Sequence, residues 1–174
     1  MNTPHLNAPR LSVFAVVLRA LHLLALALWL GGLVAIGALV APTVFRAVRA
    51  FPALAGSVPL QNTLAGSVVG GSLQKFGFLS LACAAVLLVV NSLLLSRTSR
   101  RWTTACLGAT LLLLASSLFL LFGLTPAMDQ AQASGNLVSF DKMHHLYEQL
   151  STLFQMPLLL LLLLFTALRD TSRS

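Results

Sequence analysis

Residues 19–32 read RALHLLALALWLGG, an apolar stretch with an arginine and a histidine at its start. It opens an apolar run from Ala20 to Ala41, in which His22 is the only ionisable side chain. A helix needs about 20 apolar residues to cross the roughly 30 Å hydrocarbon core of a bilayer. The run therefore predicts a transmembrane helix, with Arg19 and His22 at its mouth.

The whole chain has the composition of an integral membrane protein. Of its 174 residues, 57% are hydrophobic and 9% are charged, whereas a soluble domain has about 25% charged residues. The net charge of +7 comes from basic residues that flank apolar runs, so we attribute it to orientation in a membrane and expect no nucleic-acid partner. Cys83 and Cys106 lie inside apolar runs without metal-type spacing, which indicates small buried side chains.

Four segments are apolar enough to span a bilayer. The sequence predicts helices at about 11–41, 73–95, 103–124 and 140–168. An outer loop with an interfacial helix is expected at about 42–72, because Arg46 and Arg49 alternate there with apolar residues. The predicted fold class is all-α, a single membrane domain built as an antiparallel bundle of four transmembrane helices.

The connection between the third and fourth segments carries helix-boundary signals. Thr125 and Pro126 can start a helix, and Gly135 and Asn136 can stop it. Ser139 is then expected to cap the next helix.

Basic residues predict the orientation of the bundle. With four spans, the N-terminus, the second connection and the C-terminus share one side. That side holds seven basic residues and the other side four, so we expect both termini in the cytoplasm and the protein in the inner (cytoplasmic) membrane. The N-terminal stretch is interpreted as an uncleaved first helix, because Arg19 interrupts it. The seven are Arg10, Arg19, Arg97, Arg100, Arg101, Arg169 and Arg173, and the four are Arg46, Arg49, Lys75 and Lys142.

Arg19 and His22 are three residues apart and share a helix face with Trp29. Two interpretations stay open. In the first, this stripe faces the bundle interior and His22 binds haem or copper. In the second, Arg19 reaches the inner headgroups, His22 lies one turn inside, and Trp29 packs between helices beside Gly31 and Gly32.

The segment FDKMHHLYEQ, residues 140–149, holds a candidate metal site. Asp141 and Glu148 each lie three or four residues from His144 and His145. Imidazole and carboxylate groups at this spacing can hold a divalent ion. The alternative is a solvated first turn, in which the same side chains form exposed pairs.

Polar residues inside the spans predict contacts between helices. Asn91 needs a hydrogen-bond partner in lipid and is expected to form a structural bond on an inward face. Ser116 and Ser117 supply hydroxyl groups near mid-membrane, and Pro157 is expected to kink the fourth helix. The densest polar features should meet at the outer end of the bundle, where we expect any functional pocket. They are Gly31, Gly32, Pro42, Gln74, Lys75, Thr125, Pro126, His144 and His145.

The order of short motifs resembles a known family. LHLLALALWLGG, APTVF, GGSLQKFG, LTPAMD and FDKMHHLYEQLSTLFQ follow one another along the chain. Over about residues 15–168 the chain is similar to bacterial membrane proteins of the domain-of-unknown-function 4149 family, which is related to transmembrane protein 205. The resemblance implies polar positions at Ser151 and near Gln155, where the family has asparagine. Its pattern also falls on His22, Trp29, Gly31, Gly32, Pro42, Phe45, Pro126, Phe140 and His144.

The first helix alone is similar to two further groups, the copper-resistance D family and the HemJ-type protoporphyrinogen oxidases. In the latter, a histidine of the ALH stretch is implicated in haem binding, and His22 would be that residue. Their pattern also has a lysine in a later membrane helix, which this chain lacks inside its later spans. The leading hypothesis is a non-enzymatic protein in the lipid bilayer, either an accessory subunit or a transport or tolerance factor. Its expected partners are a larger membrane complex or further copies of the same chain. The alternative is a haem or copper protein with a redox or metal-handling role.

Overall fold

Four long helices make up the described part of the chain. The structure, a computed structural model, describes residues 13–54, 56–95 and 100–171. Each helix is long and apolar enough to cross a membrane, so the chain is a multi-pass membrane protein whose exposed apolar side chains contact lipid. The predicted all-α, four-helix class is confirmed. Residues 11 and 12, together with Arg10, Arg97 and Arg173 of the charge argument, lie outside the described residues.

Three of the helices combine α-helical and π-helical segments. The first helix consists of Val13–Val34, the π segment Ala35–Val40, and Ala41–Arg49. After a 3₁₀ turn at Pro52–Leu54, the second helix runs without interruption over Val58–Leu95. The third helix consists of Arg100–Leu118, the π segment Phe119–Leu124, and Thr125–Ala133. The fourth consists of Leu137–Gln149, the π segment Leu150–Gln155, and Met156–Thr171.

The helices form an up-and-down bundle. Each packs against the next along the chain, and the fourth packs against the first, which is the arrangement that short connections favour. Two connections, residues 50–57 and 134–136, lie at one end, which we call the hairpin end; the opposite end is the termini end. Gly135 has a φ of +71°, a conformation that glycine adopts without steric cost, and it ends the third helix as the sequence predicted.

The region 42–72 differs from the predicted loop. Ala41–Arg49 continues the first helix and packs against the second helix, so it is not a separate interfacial helix. The second helix begins at Val58 rather than near residue 73. Glycines and serines lower the intrinsic helix propensity of this stretch, but packing stabilises it, and Ala65 there is 1% exposed.

The second helix is longer than a bilayer requires. Its 38 residues span about 57 Å, against a hydrocarbon core of about 30 Å. The part from Lys75 to Leu95 alone covers about 30 Å, and exposed Lys75 can reach the headgroups with its amine. We therefore expect residues 58–72 to extend beyond the hydrocarbon, at the hairpin end.

The boundary between the third and fourth helices also differs from the prediction. The expectation that Ser139 caps the fourth helix is wrong, because the Asn136 side chain accepts a hydrogen bond from the Ser139 backbone N–H at 3.1 Å. An α-helical segment does begin at Thr125 and Pro126, but it continues the third helix from the π segment without a break. The fourth helix begins at Leu137, three residues earlier than expected.

An apolar layer fills the middle of the bundle. All four helices contribute to it, and its side chains are no more than 1% exposed; they are Leu26, Trp29, Ala84, Leu87, Leu113, Leu159 and Leu162. Polar side chains lie on both sides of this layer along the bundle axis.

Candidate functional site

The fourth helix places a glutamine inside the bundle. Gln155 is 2% exposed, and its Nε2 donates to Ser116 Oγ at 2.9 Å and to Ser117 Oγ at 3.1 Å. Burying an amide in hydrocarbon without a hydrogen-bond partner costs a free energy of several kcal/mol. The two serines of the third helix therefore explain how this side chain is accommodated.

A small cavity lies beside Gln155. Its volume is about 10 Å³, roughly what one water molecule needs. The polar lining comes from three helices and consists of Ser80, Ser117, Thr125, Tyr147 and Gln155; the first helix contributes Leu33. None of the side chains that line the cavity carries a formal charge at neutral pH. The cavity is an uncharged polar pocket toward the hairpin end. Of the polar features that the sequence predicts to meet at that end, only Thr125 lines it.

The hydroxyl group of Ser151, next to the pocket, is unsatisfied within the described part of the chain. Ser151 is 8% exposed, and its Oγ has no hydrogen-bond partner in the described part of the chain. It lies four residues from both Tyr147 and Gln155 on the fourth helix, between two residues that line the cavity. A buried hydroxyl normally has a partner, so Ser151 offers one free hydrogen-bonding group at this site.

Three prolines follow the π segments at the same spacing. Pro42, Pro126 and Pro157 each lie two residues beyond the end of a π segment. In each helix the residue before the proline donates its N–H to a carbonyl five residues back, in the pairs Ala41–Ile36, Thr125–Leu120 and Met156–Ser151. Proline lacks an N–H and its ring collides with the carbonyl four residues back. The wider π turn relieves that collision.

His22 belongs to a second polar layer, toward the termini end. Its side chain is 4% exposed and faces the interior, and its Nε2 lies 3.1 Å from Thr166 Oγ1 of the fourth helix. Trp29, on the same face, is fully buried, while Arg19 is half-buried.

Asn91 forms a hydrogen bond between helices in the same layer. It is 3% exposed, and its Nδ2 donates to Thr110 Oγ1 at 3.3 Å. Thr110 in turn donates to the Cys106 carbonyl at 2.8 Å. The structural hydrogen bond expected for Asn91 is present.

The residues proposed for a metal site lie on the surface of the fourth helix. His145 is within 3.7 Å of Asp141 and 3.3 Å of Glu148, and His144 is 3.3 Å from Glu148. Phe140 stacks on the His144 ring, with ring centres 5.8 Å apart. The described part of the chain contains no group of three or more His, Cys, Asp or Glu side chains that could hold a metal ion. The geometry favours the alternative of exposed pairs on a solvated turn.

These features define a class of protein: a multi-pass, four-helix membrane protein with a buried and uncharged polar pocket. A family model described as a domain of unknown function (DUF4149) matches residues 24–137. The chain belongs to this family. No curated protein and no solved structure matches the chain. The matched region begins inside the first helix and contains the second and third helices, whereas His22, Ser151 and Gln155 lie outside it.

The sequence named some of the pocket residues without bringing them together. The sequence predicts Ser116 and Ser117 near mid-membrane and distinguishes Gln155 only as a residue near the position where the family has asparagine. Gln155 and Ser117 are 38 residues apart in the chain. The signal that could have linked them is chemical: each is a polar group in a lipid-spanning segment, and such groups find partners on neighbouring helices.

Proposed function

We propose that the protein is a non-enzymatic transport or tolerance factor that takes a small, uncharged polar molecule into the pocket beside Gln155. The observation that carries the proposal is the pocket itself. Buried polar groups from three helices converge there, and the Ser151 hydroxyl has no partner among the described residues. Polar groups that face the interior of a membrane bundle commonly mark a functional site.

The chemistry of the lining selects the class of ligand. It offers hydroxyl groups and one carboxamide, which donate and accept hydrogen bonds without supplying a charge. An ion would lose its hydration here without a counter-charge, at a cost of several kcal/mol. A neutral molecule with a donor and an acceptor can exchange its water for Ser151 and Gln155.

The placement of the polar layers favours transport over an accessory role. The pocket lies toward the hairpin end, and the layer with His22 and Asn91 lies toward the termini end. The fully buried Trp29 and Leu113 belong to the apolar layer between them. A polar pocket that a packed apolar layer closes off from the other end of the bundle is what alternating access requires in one of its states.

The test is solute entry into vesicles. The cavity in this structure holds about one water molecule, so a larger solute enters only when the helices around it move apart, as alternating access requires. Wild-type protein in liposomes should then speed urea or glycerol entry above that of protein-free vesicles, measured by stopped-flow light scattering. Gln155→Leu removes the carboxamide and should lower the rate about tenfold, since one hydrogen bond to a neutral ligand is worth about 1.4 kcal/mol. Gln149→Leu is the matched control, because Gln149 is exposed on the same helix. Wild-type rates equal to those of empty vesicles would overturn the proposal.

The rival function is a haem- or copper-binding membrane protein, and the buried His22 is the observation that favours it. An absorption spectrum and a metal analysis of the detergent-purified protein separate the two. A Soret band or stoichiometric copper that disappears in His22→Ala would support the rival. A colourless protein that co-purifies with a larger membrane partner would instead support the role of an accessory subunit.

A further inference from the structure

Two pairs of pocket residues have a spacing that a regular helix would not align. Ser117 and Thr125 both line the pocket from the third helix, and Tyr147 and Gln155 both line it from the fourth. The members of each pair are eight residues apart. Eight residues of regular α-helix turn the chain about 80° beyond two full turns. Members of such a pair would then point in clearly different directions.

The π segments account for the alignment. Phe119–Leu124 lies between Ser117 and Thr125, and Leu150–Gln155 occupies most of the stretch from Tyr147 to Gln155. A π turn takes up one extra residue, so residues eight apart align as residues seven apart do in a regular helix, within about 20°. Each π segment therefore restores a common face on the two sides of the break.

We propose that Pro126 and Pro157 are the positioning residues of the pocket. Each proline prevents the regular hydrogen bond to the carbonyl four residues back and thereby holds the π segment before it. The π segment in turn sets the rotation of the hairpin-end part of its helix. Without the prolines these parts would turn by about one residue, or 100°, and Thr125 and Tyr147 would leave the lining.

The proposal predicts the direction of the rotation. In a regular fourth helix, the residue that aligns with Gln155 is seven positions back, at Glu148, rather than eight positions back, at Tyr147. Tyr147 is half-buried and Glu148 exposed in the structure. Replacing Pro157 should therefore exchange the accessibilities of these two positions.

Thiol labelling measures this exchange. In a background of Cys83→Ala and Cys106→Ala, Tyr147→Cys and Glu148→Cys are reacted separately with a water-soluble maleimide, each with and without Pro157→Ala. With Pro157 present, position 148 should react faster than position 147, and Pro157→Ala should invert the ratio of the two rates. Pro59→Ala is the matched control, because Pro59 lies in the first turn of the uninterrupted second helix and should leave the ratio unchanged.

A merely structural role for Pro157 gives a different result. Loss of packing would raise both labelling rates together, and a π segment held by packing alone would leave the ratio as it was; either outcome overturns the proposal. Pro157 is exposed to lipid, so a leucine at this position meets no neighbouring helix. If Pro157→Ala does not fold, Pro157→Leu is used in its place. The inference rests on the proposed function only in treating the pocket as the binding site. Labelling is done without solute. The rotation of the fourth helix can therefore be confirmed even if urea and glycerol entry is not accelerated, and the two proposals can fail separately.

Discussion

At the scale of single residues, Gly31 and Gly32 are adjacent in the chain but have different neighbours. A Cβ added at Gly32 would overlap the ring of Phe76 on the second helix, whereas a Cβ at Gly31 would meet nothing within 4 Å. Phe76 is 8% exposed, so its ring has little room to move. Close approach of two helices at a small residue is a common form of packing in membranes.

We therefore expect Gly32→Ala to lower the free energy of unfolding by about 1–3 kcal/mol through overpacking. Gly31→Ala should change it little or raise it slightly, because alanine favours the helix. Unfolding in mixed detergent micelles would compare the two variants. The double variant Gly32→Ala with Phe76→Leu should recover part of the loss, and equal effects of the two alanines would contradict this packing.

His22 has a structural partner that can be tested in the same way. The contact between its Nε2 and Thr166 Oγ1 joins the first and fourth helices. A double-mutant cycle with His22→Leu and Thr166→Val should give a coupling of about 0.6 kcal/mol, as hydrogen bonds in membrane bundles do on average. If the two substitutions were simply additive, this hydrogen bond would contribute nothing to stability.

At the scale of helices and their connections, Asn136 and Ser139 form an informative pair. Asn136 caps the fourth helix by accepting from the Ser139 N–H. Asn136→Ala should destabilise the protein by about 1 kcal/mol, while Ser139→Ala keeps the backbone donor and should be close to neutral. Thermal unfolding of the two variants in detergent decides between them, and a larger loss in Ser139→Ala would show that serine is the cap.

The sequence predicted the helices better than their ends. Apolar runs define the membrane-crossing parts, because hydrocarbon thickness imposes one length on them. Residues 58–72 carry the glycines and serines of a loop, yet they are helical because neighbouring helices bury Ala65 and support the backbone. Pro157 indicated a break but not the extra residue in the turn before it, since a π segment depends on how both halves of the helix pack.

The pocket could be predicted only in part, for a related reason. Ser117 and Gln155 are visible as polar residues in apolar segments, but their pairing depends on which helix faces which. That choice is made by packing throughout the bundle. The carboxylate and imidazole side chains near residue 145 show the opposite error. Their spacing is typical of metal ligands, yet they lie on an exposed surface.

At the scale of the whole molecule, the distribution of basic residues predicts orientation. Seven basic residues on one side against four on the other should place both termini in the cytoplasm. Green fluorescent protein fused to the C-terminus should then fluoresce, and alkaline phosphatase inserted at Gly56 should be active. Inactive phosphatase at Gly56 together with a dark C-terminal fusion would reverse the topology and place the pocket on the cytoplasmic side.

Because the helices are long, little backbone at the hairpin end is open to attack by a protease. Proteases cut chain that can be drawn out into an extended form, and helices resist this. In the described part of the chain, the non-helical backbone at that side lies around Gly56 and at residues 134–136. The longer of these connections is the natural site for a nick. After a cut at this connection the four helices should stay associated in the membrane, because the first helix still packs against the second and the fourth.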